Sequence, residues 1–113
     1  MSIIALVGNK GGAGKTTLAV NLADALAKHA PSLVLDADPQ GSALQWHAIR
    51  DNNNAPVVMD ATEELELAAR DAAAESTHIV IDCPPSVHAA QTHAALRVSD
   101  LCLLYTSPSP RDC

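Results

Sequence analysis

The chain has 113 residues, enough for one packed domain and too few for two. Hydrophobic residues make up 48% of it but aromatics only 2%, so the core must come from Ala, Leu, Val and Ile, which suits closely packed sheet and helices better than an aromatic-rich all-β fold. The formal charge of −6, with no Lys/Arg cluster beyond Lys10 and Lys15, offers no basic face for nucleic acid, and Cys83, Cys102 and Cys113 lack the spacing of a disulfide framework or a zinc site.

The run Ser2–Gly8 is apolar on both faces, as a parallel strand buried inside a sheet is. It has no basic leader and is too short for a signal peptide or a membrane span, so a cytoplasmic protein is expected. A glycine-rich turn follows. Thr17–His29 then carries Leu18, Leu22, Ala25 and Leu26 at helical spacing, with Pro31 just past its end. Ser32–Asp36 reads as a second strand, and Pro39–Arg50 as a helix with Pro39 in its first turn. Asp51–Asn54 is a polar loop and Pro56–Met59 a short strand. Thr62 is placed to cap a helix whose Leu65, Ala68, Ala69 and Ala72 share one face. His78–Asp82 is a fourth strand ended by Pro84 and Pro85, a helix is expected from Val87 to Val98, and Leu101–Tyr105 can form a fifth strand. Strands alternating with helices give the α/β class, a parallel sheet with right-handed crossovers and helices on both faces.

The stretch Gly8-Asn-Lys-Gly-Gly-Ala-Gly-Lys-Thr-Thr17 lies between the first strand and the first helix. A polyphosphate has to be surrounded by backbone N–H groups, and side chains would block that approach. Gly11, Gly12 and Gly14 permit it, and the helix that follows adds free N–H donors and the positive end of its dipole. Lys15 can extend to the β- and γ-phosphates, and the Thr16 hydroxyl can ligate Mg²⁺. In the general pattern G-x-x-x-x-G-K-[ST] the first glycine is replaced here by Asn9. Carboxylates for the metal and the attacking water belong at the carboxyl ends of neighbouring parallel strands. Two candidates stand there: Leu33-Val-Leu-Asp-Ala-Asp-Pro-Gln-Gly41 and Ile79-Val-Ile-Asp-Cys-Pro-Pro-Ser86.

Lys10–Thr17 resembles the loop K-G-G-x-G-K-[ST]-[ST] of the ParA/MinD family of P-loop ATPases, and the two acidic strings resemble its D-x-D-P-Q-G switch and its D-x-P-P Walker B segment. The resemblance implies a P-loop NTPase fold and ATP with Mg²⁺ as ligands. It implies that Lys10, Gly11, Gly12, Ala13, Gly14, Lys15, Thr16 and Thr17 bind nucleotide, and that Thr16, Asp36 and Asp82 serve the metal. Asp38 would orient the hydrolytic water. Lys10 would reach across a nucleotide-sandwiched dimer to the partner's phosphates, joining Asp38 and Lys15 as a catalytic residue. Gln40 and Gly41 would belong to the nucleotide-sensing switch, Cys83 would be structural, and Trp46 a packing residue.

The likeness runs from Ile3 to about Leu101. Relatives continue there with a strand of the type V-L-V-P-V-Q-P-S-P, whereas Cys102-Leu-Leu-Tyr-Thr-Ser-Pro-Ser-Pro-Arg-Asp112 matches, residue for residue, the in-frame translation of a transposase sequencing adapter. Residues 1–101 are therefore expected to be the N-terminal part of a P-loop ATPase domain and 102–113 a non-native tail, so the parent protein is expected to be longer. The resemblance implies that this parent is a dimerising ATPase of the ParA type, acting in DNA partitioning or cargo positioning. Its expected partners are a ParB-like stimulating protein and, through its C-terminal part, non-specific DNA; no membrane is indicated. The alternatives are a MinD-like membrane-cycling regulator, a P-loop iron–sulfur reductase, a synthetase or amidase sharing the loop, and a non-catalytic nucleotide-binding module.

Overall fold

Each residue of Ile3–Val7 is buried, and the reason is its place in the sheet. In the computed structural model, which describes residues 2–8, 13–41, 43–45, 57–60, 64–75, 78–105 and 110–112, this run is strand β1 (Ser2–Val7), with hydrogen-bonded neighbours on both sides. The chain continues through α1 (Ala13–Ala27), β2 (Ser32–Asp36), β3 (Val57–Asp60), α2 (Leu65–Glu75), β4 (His78–Asp82), α3 (Ala90–Val98), β5 (Leu101–Tyr105) and β6 (Pro110–Asp112). The sheet order is β3-β2-β4-β1-β5-β6, parallel from β3 to β5, with β6 antiparallel to β5.

Alternate residues of the strands enter two cores. Ile3, Ala5, Val7, Leu33, Leu35, Ile79 and Ile81 pack on one face with Leu65 and Ala69 of α2 and Ala95 of α3. Leu6, Val34, Val58 and Val80 pack on the other with Ala19 and Ala23 of α1. The alanines let helix backbones lie close to the sheet, as the aromatic-poor composition requires. The result is the expected α/β sheet with helices on both faces. Among the described residues no helix is long and apolar enough to cross a membrane.

The register decides the rest. Asp36 pairs with Asp82 and Leu6 with Asp82, so the carboxyl ends of β1, β4 and β2 finish at one level. At the opposite end the Asp100 carboxylate accepts the Ile3 amide at 2.8 Å, and the Asp100 amide donates to the Ile3 carbonyl at 2.7 Å.

Several boundaries differ from those expected on the sequence. Helix α1 begins at Ala13, four residues before Thr17, because the end of the glycine turn is already wound into the first helical turn. It closes at Ala27, where the His29 and Ala30 amides both turn back to the Leu26 carbonyl. No helix starts at Pro39: Gly41 takes φ +67°, a left-handed conformation that glycine adopts without strain, and the described helical residues of this stretch are 43–45. Residues 46–50, including Trp46, lie outside the described residues, as do the Asp51–Asn54 loop, Pro56 and the Thr62 cap. Helix α3 begins at Ala90 rather than Val87, since the Ser86 hydroxyl accepts the His88 amide at 3.2 Å and holds that stretch in a turn. Cys102, for which the spacing indicated no disulfide framework, is disulfide-bonded.

Burial at the sheet centre sets the expected cost of substitution. Ile79 is fully buried, and Ile79→Ala should lower the stability of the parent protein by about 3 kcal/mol through lost transfer energy and a residual cavity. Leu67, 53% exposed on α2, should tolerate Leu67→Ala within about 0.5 kcal/mol. Urea unfolding of both variants measures the contrast.

Candidate functional site

The site is assembled where β1, β4 and β2 end. Gly8, just past β1, is buried, and a Cβ there would come within 3.2 Å of the Tyr105 carbonyl and 3.3 Å of the Lys15 side chain. A Cβ on Gly14 would run into the Tyr105 hydroxyl, the far end of a side chain that would have to move aside. Lys10, Gly11 and Gly12 lie outside the described residues. Ala13, Gly14, Lys15, Thr16 and Thr17 form the beginning of α1, where the first N–H groups of a helix have no partner within it.

Lys15 is only 3% exposed. Its ammonium donates to Asp82 Oδ1 and to the Cys83 carbonyl, while the Thr16 hydroxyl donates to Asp82 Oδ2 at 3.0 Å. One carboxylate thus holds both side chains at the end of the glycine-rich stretch. A buried charge pair of this kind is tolerable only when its remaining donors and acceptors are satisfied, and removing either partner strands the other charge. Asp82 is brought to this point by its register against Leu6, and the Cys83 amide continues the ladder by donating to the Leu6 carbonyl at 3.1 Å.

The neighbouring strand end is organised by Asp36, which is fully buried. Its Oδ1 accepts the Asp38 amide at 3.1 Å and its Oδ2 the Leu44 amide at 3.0 Å, so it folds the segment between them back on itself. Asp38, also buried, accepts the Gln40 amide at 3.0 Å with its carboxylate and the Gly41 amide at 2.9 Å with its carbonyl. The Ala37 amide donates to the Asp82 carbonyl at 2.9 Å, tying this segment to the Lys15 partner. Burial raises the Asp36 carboxyl above 3.8; the Leu44 and Asp38 amides oppose that, and the charges of Asp82 and Asp38 add to it.

The residues present fit the ligands that the sequence suggested. A buried ammonium beside a helix N-terminus suits phosphate, and a hydroxyl with carboxylate oxygens suits a hard cation such as Mg²⁺. Thr16 and Asp82 touch, and Asp36 stands in register with Asp82 on the next strand. Among the described residues no group of three or more His, Cys, Asp or Glu side chains is gathered for a metal ion. Sequence reasoning missed the Cys83 carbonyl, which receives Lys15; it is backbone and leaves no sequence signal.

Residues 4–102 match the family model of the CobQ/CobB/MinD/ParA nucleotide binding domain. The chain belongs to this family. A curated family relative, the maintenance of carboxysome distribution protein A of Gloeobacter kilaueensis, is 37% identical over 113 residues, covering 97% of this chain and 51% of its own length. The chromosome partitioning protein ParA of Myxococcus xanthus is 34% identical over 75% of this chain and 45% of its own. Among solved structures, a plasmid partition protein of Borrelia burgdorferi bound to AMPPNP superposes with a TM-score of 0.71 at 21% identity, over 91% of this chain and 60% of that one, a likeness of fold. The chain spans about half the length of the curated relatives it matches. It is therefore a nucleotide-binding domain of the ParA/MinD family with a P-loop fold.

Cys83 in this site is inert by environment. Burial pushes its thiol from 9.0 up to about 12; the Lys15 charge opposes the rise and the Asp82 charge adds to it. Its folded value is above the unfolded one, so its contribution to stability is complete below 9.0 and is lost as pH rises through about 12. Alkylation at mildly alkaline pH, mapped by mass spectrometry, should label Cys83 only after unfolding. Rapid labelling of the native protein would contradict this placement.

Proposed function

We propose that the parent protein is an ATP-binding, ATP-hydrolysing switch of the ParA type that dimerises and positions DNA or another cargo in the cytoplasm. The observation that carries the reading is the Asp82 carboxylate joining Lys15 and Thr16 at the end of β4. It links a phosphate-binding lysine, a metal-ligating hydroxyl and a metal-side carboxylate in one contact. The two curated relatives named above are described as acting in carboxysome distribution and chromosome partitioning, and positioning of cargo is what those roles share.

In this reading the backbone amides of Gly11, Gly12, Ala13, Gly14, Lys15, Thr16 and Thr17 hold the phosphates, and Lys15 pairs with the β- and γ-phosphates. Thr16 and Asp82, with Asp36 behind them, would hold Mg²⁺, which would offset phosphate charge. Asp38 positions the attacking water, while one oxygen of its carboxylate accepts the Gln40 amide. Lys10 acts in trans within the dimer. Contact between the γ-phosphate and the segment from Asp36 to Gly41 would favour one of two arrangements of that segment, which is the physical content of a nucleotide switch. A ParB-like stimulating protein and non-specific DNA are the expected partners, engaged through the C-terminal part of the parent.

The same reading takes residues 1–101 as the N-terminal part of the ATPase domain and 102–113 as a non-native tail, on the strength of the adapter match. Sequencing the gene beyond the codon for Leu101 should reveal a different continuation. Recovery of the same codons from independent clones would remove the tail proposal.

Two variants of the parent test the site. Lys15→Ala should abolish nucleotide binding in equilibrium titration, because it removes the cation that faces the phosphates. Asp38→Ala should retain ATP affinity within about three-fold while lowering turnover by about 100-fold or more, the scale of a lost general base. Unchanged affinity in the first variant, or parental turnover in the second, would contradict the assigned roles.

A further inference from the structure

Thr92, in the first turn of α3, is a fully buried polar side chain that the proposed chemistry does not use. Its hydroxyl donates to the Ser86 carbonyl at 2.7 Å. Resting on the assignment of Lys15 as the phosphate-binding lysine, we infer that Thr92 is a positioning residue for Lys15. It acts through the segment Cys83-Pro-Pro-Ser86, whose carbonyl at Cys83 receives the Lys15 ammonium.

The segment is held by packing at the buried Pro84 and by hydrogen bonds at its two ends. At Cys83 it is fixed by the amide's bond to the Leu6 carbonyl and by Lys15. Pro84 and Pro85 follow, and proline carries no N–H, so neither can donate a hydrogen bond that anchors the middle. Both also restrict φ, and a stiff link passes a displacement at Ser86 on to the Cys83 peptide. At Ser86 the close tie is Thr92; the Ala89 amide approaches the same carbonyl only at 3.4 Å.

Helix α3 reinforces this. Its cap residue, Ala89, supplies no side-chain hydrogen bond, so the first turn has no ordinary cap to fix the loop. Thr92 reaches backward out of the helix instead, and the His93 ring makes a second contact with the Val87 carbonyl at 3.1 Å. Thr92 is also enclosed on all sides, so its hydroxyl has no bulk water to exchange with. Loss of the hydroxyl releases the Ser86 carbonyl and lets the Cys83 carbonyl leave the line on which it holds the lysine.

The test separates the hydroxyl from the volume. In the full-length parent, Thr92→Val keeps the shape and removes the donor, while Thr92→Ser keeps the donor and removes a buried methyl. Binding of a fluorescent ATP analogue with Mg²⁺ is titrated well below the melting temperature, and thermal unfolding is recorded for each variant. Affinity should follow the hydroxyl: Thr92→Val should weaken binding by about five-fold, the scale of one hydrogen bond, and Thr92→Ser should bind as the parent does even though its Tm falls. Unchanged affinity in Thr92→Val, or an equal loss in both variants, would overturn the inference. Lys15→Ala is measured alongside. If that variant keeps its affinity, the site assignment itself fails; if it loses affinity while Thr92→Val does not, only the role of Thr92 falls.

Discussion

The Asp82 carboxylate is the group on which this site depends. It is fully buried, and so is nearly all of the lysine that it meets. Neither charge would be stable there alone: an isolated ion costs several kcal/mol to remove from water, and only good geometry with additional hydrogen bonds compensates. Both conditions are met by the Thr16 hydroxyl on the second carboxylate oxygen and the Cys83 carbonyl on the ammonium. The pair therefore constrains two elements distant in sequence, the start of α1 and the end of β4. An anion that binds here enters a site whose cation is already oriented and already desolvated, which is the electrostatic preorganisation such sites need.

The second carboxylate acts differently. Asp36 commits both oxygens to backbone amides and so shapes the turn that carries Asp38, Gln40 and Gly41. The strand register sets Asp36 and Asp82 side by side, and their like charges, together with burial, push Asp36 toward its neutral form. The two amides oppose that. These opposed demands meet in the one side chain that shapes the turn.

Much of this was legible in the sequence. The buried run before the glycines, the lysine-threonine pair after them, and the aspartates ending two apolar runs placed β1, α1, β2 and β4 and the side chains at their ends. What the sequence hid has physical causes. Gly14 masked the true start of α1, since glycine is a poor helix former yet lies within its first turn. Gly41 and the hydrogen bonds of Asp38 delayed the following helix, a tertiary effect that periodicity does not register. Ser86 likewise held residues before Ala90 out of α3. The Cys83 carbonyl could not be foreseen at all, because peptide groups are the same at every residue.

The shortness of β3 has a consequence for the behaviour of many copies together. This strand ends the described sheet on one side and has four residues. An edge strand offers its free N–H and C=O groups as a template for another chain, and the strength of that template grows with its length. Four residues expose about two such pairs on the outer side, since alternate peptide groups point inward to the ladder. A second copy adding there would gain little for the freedom that it loses. The described part of this edge therefore offers a second copy a short template only.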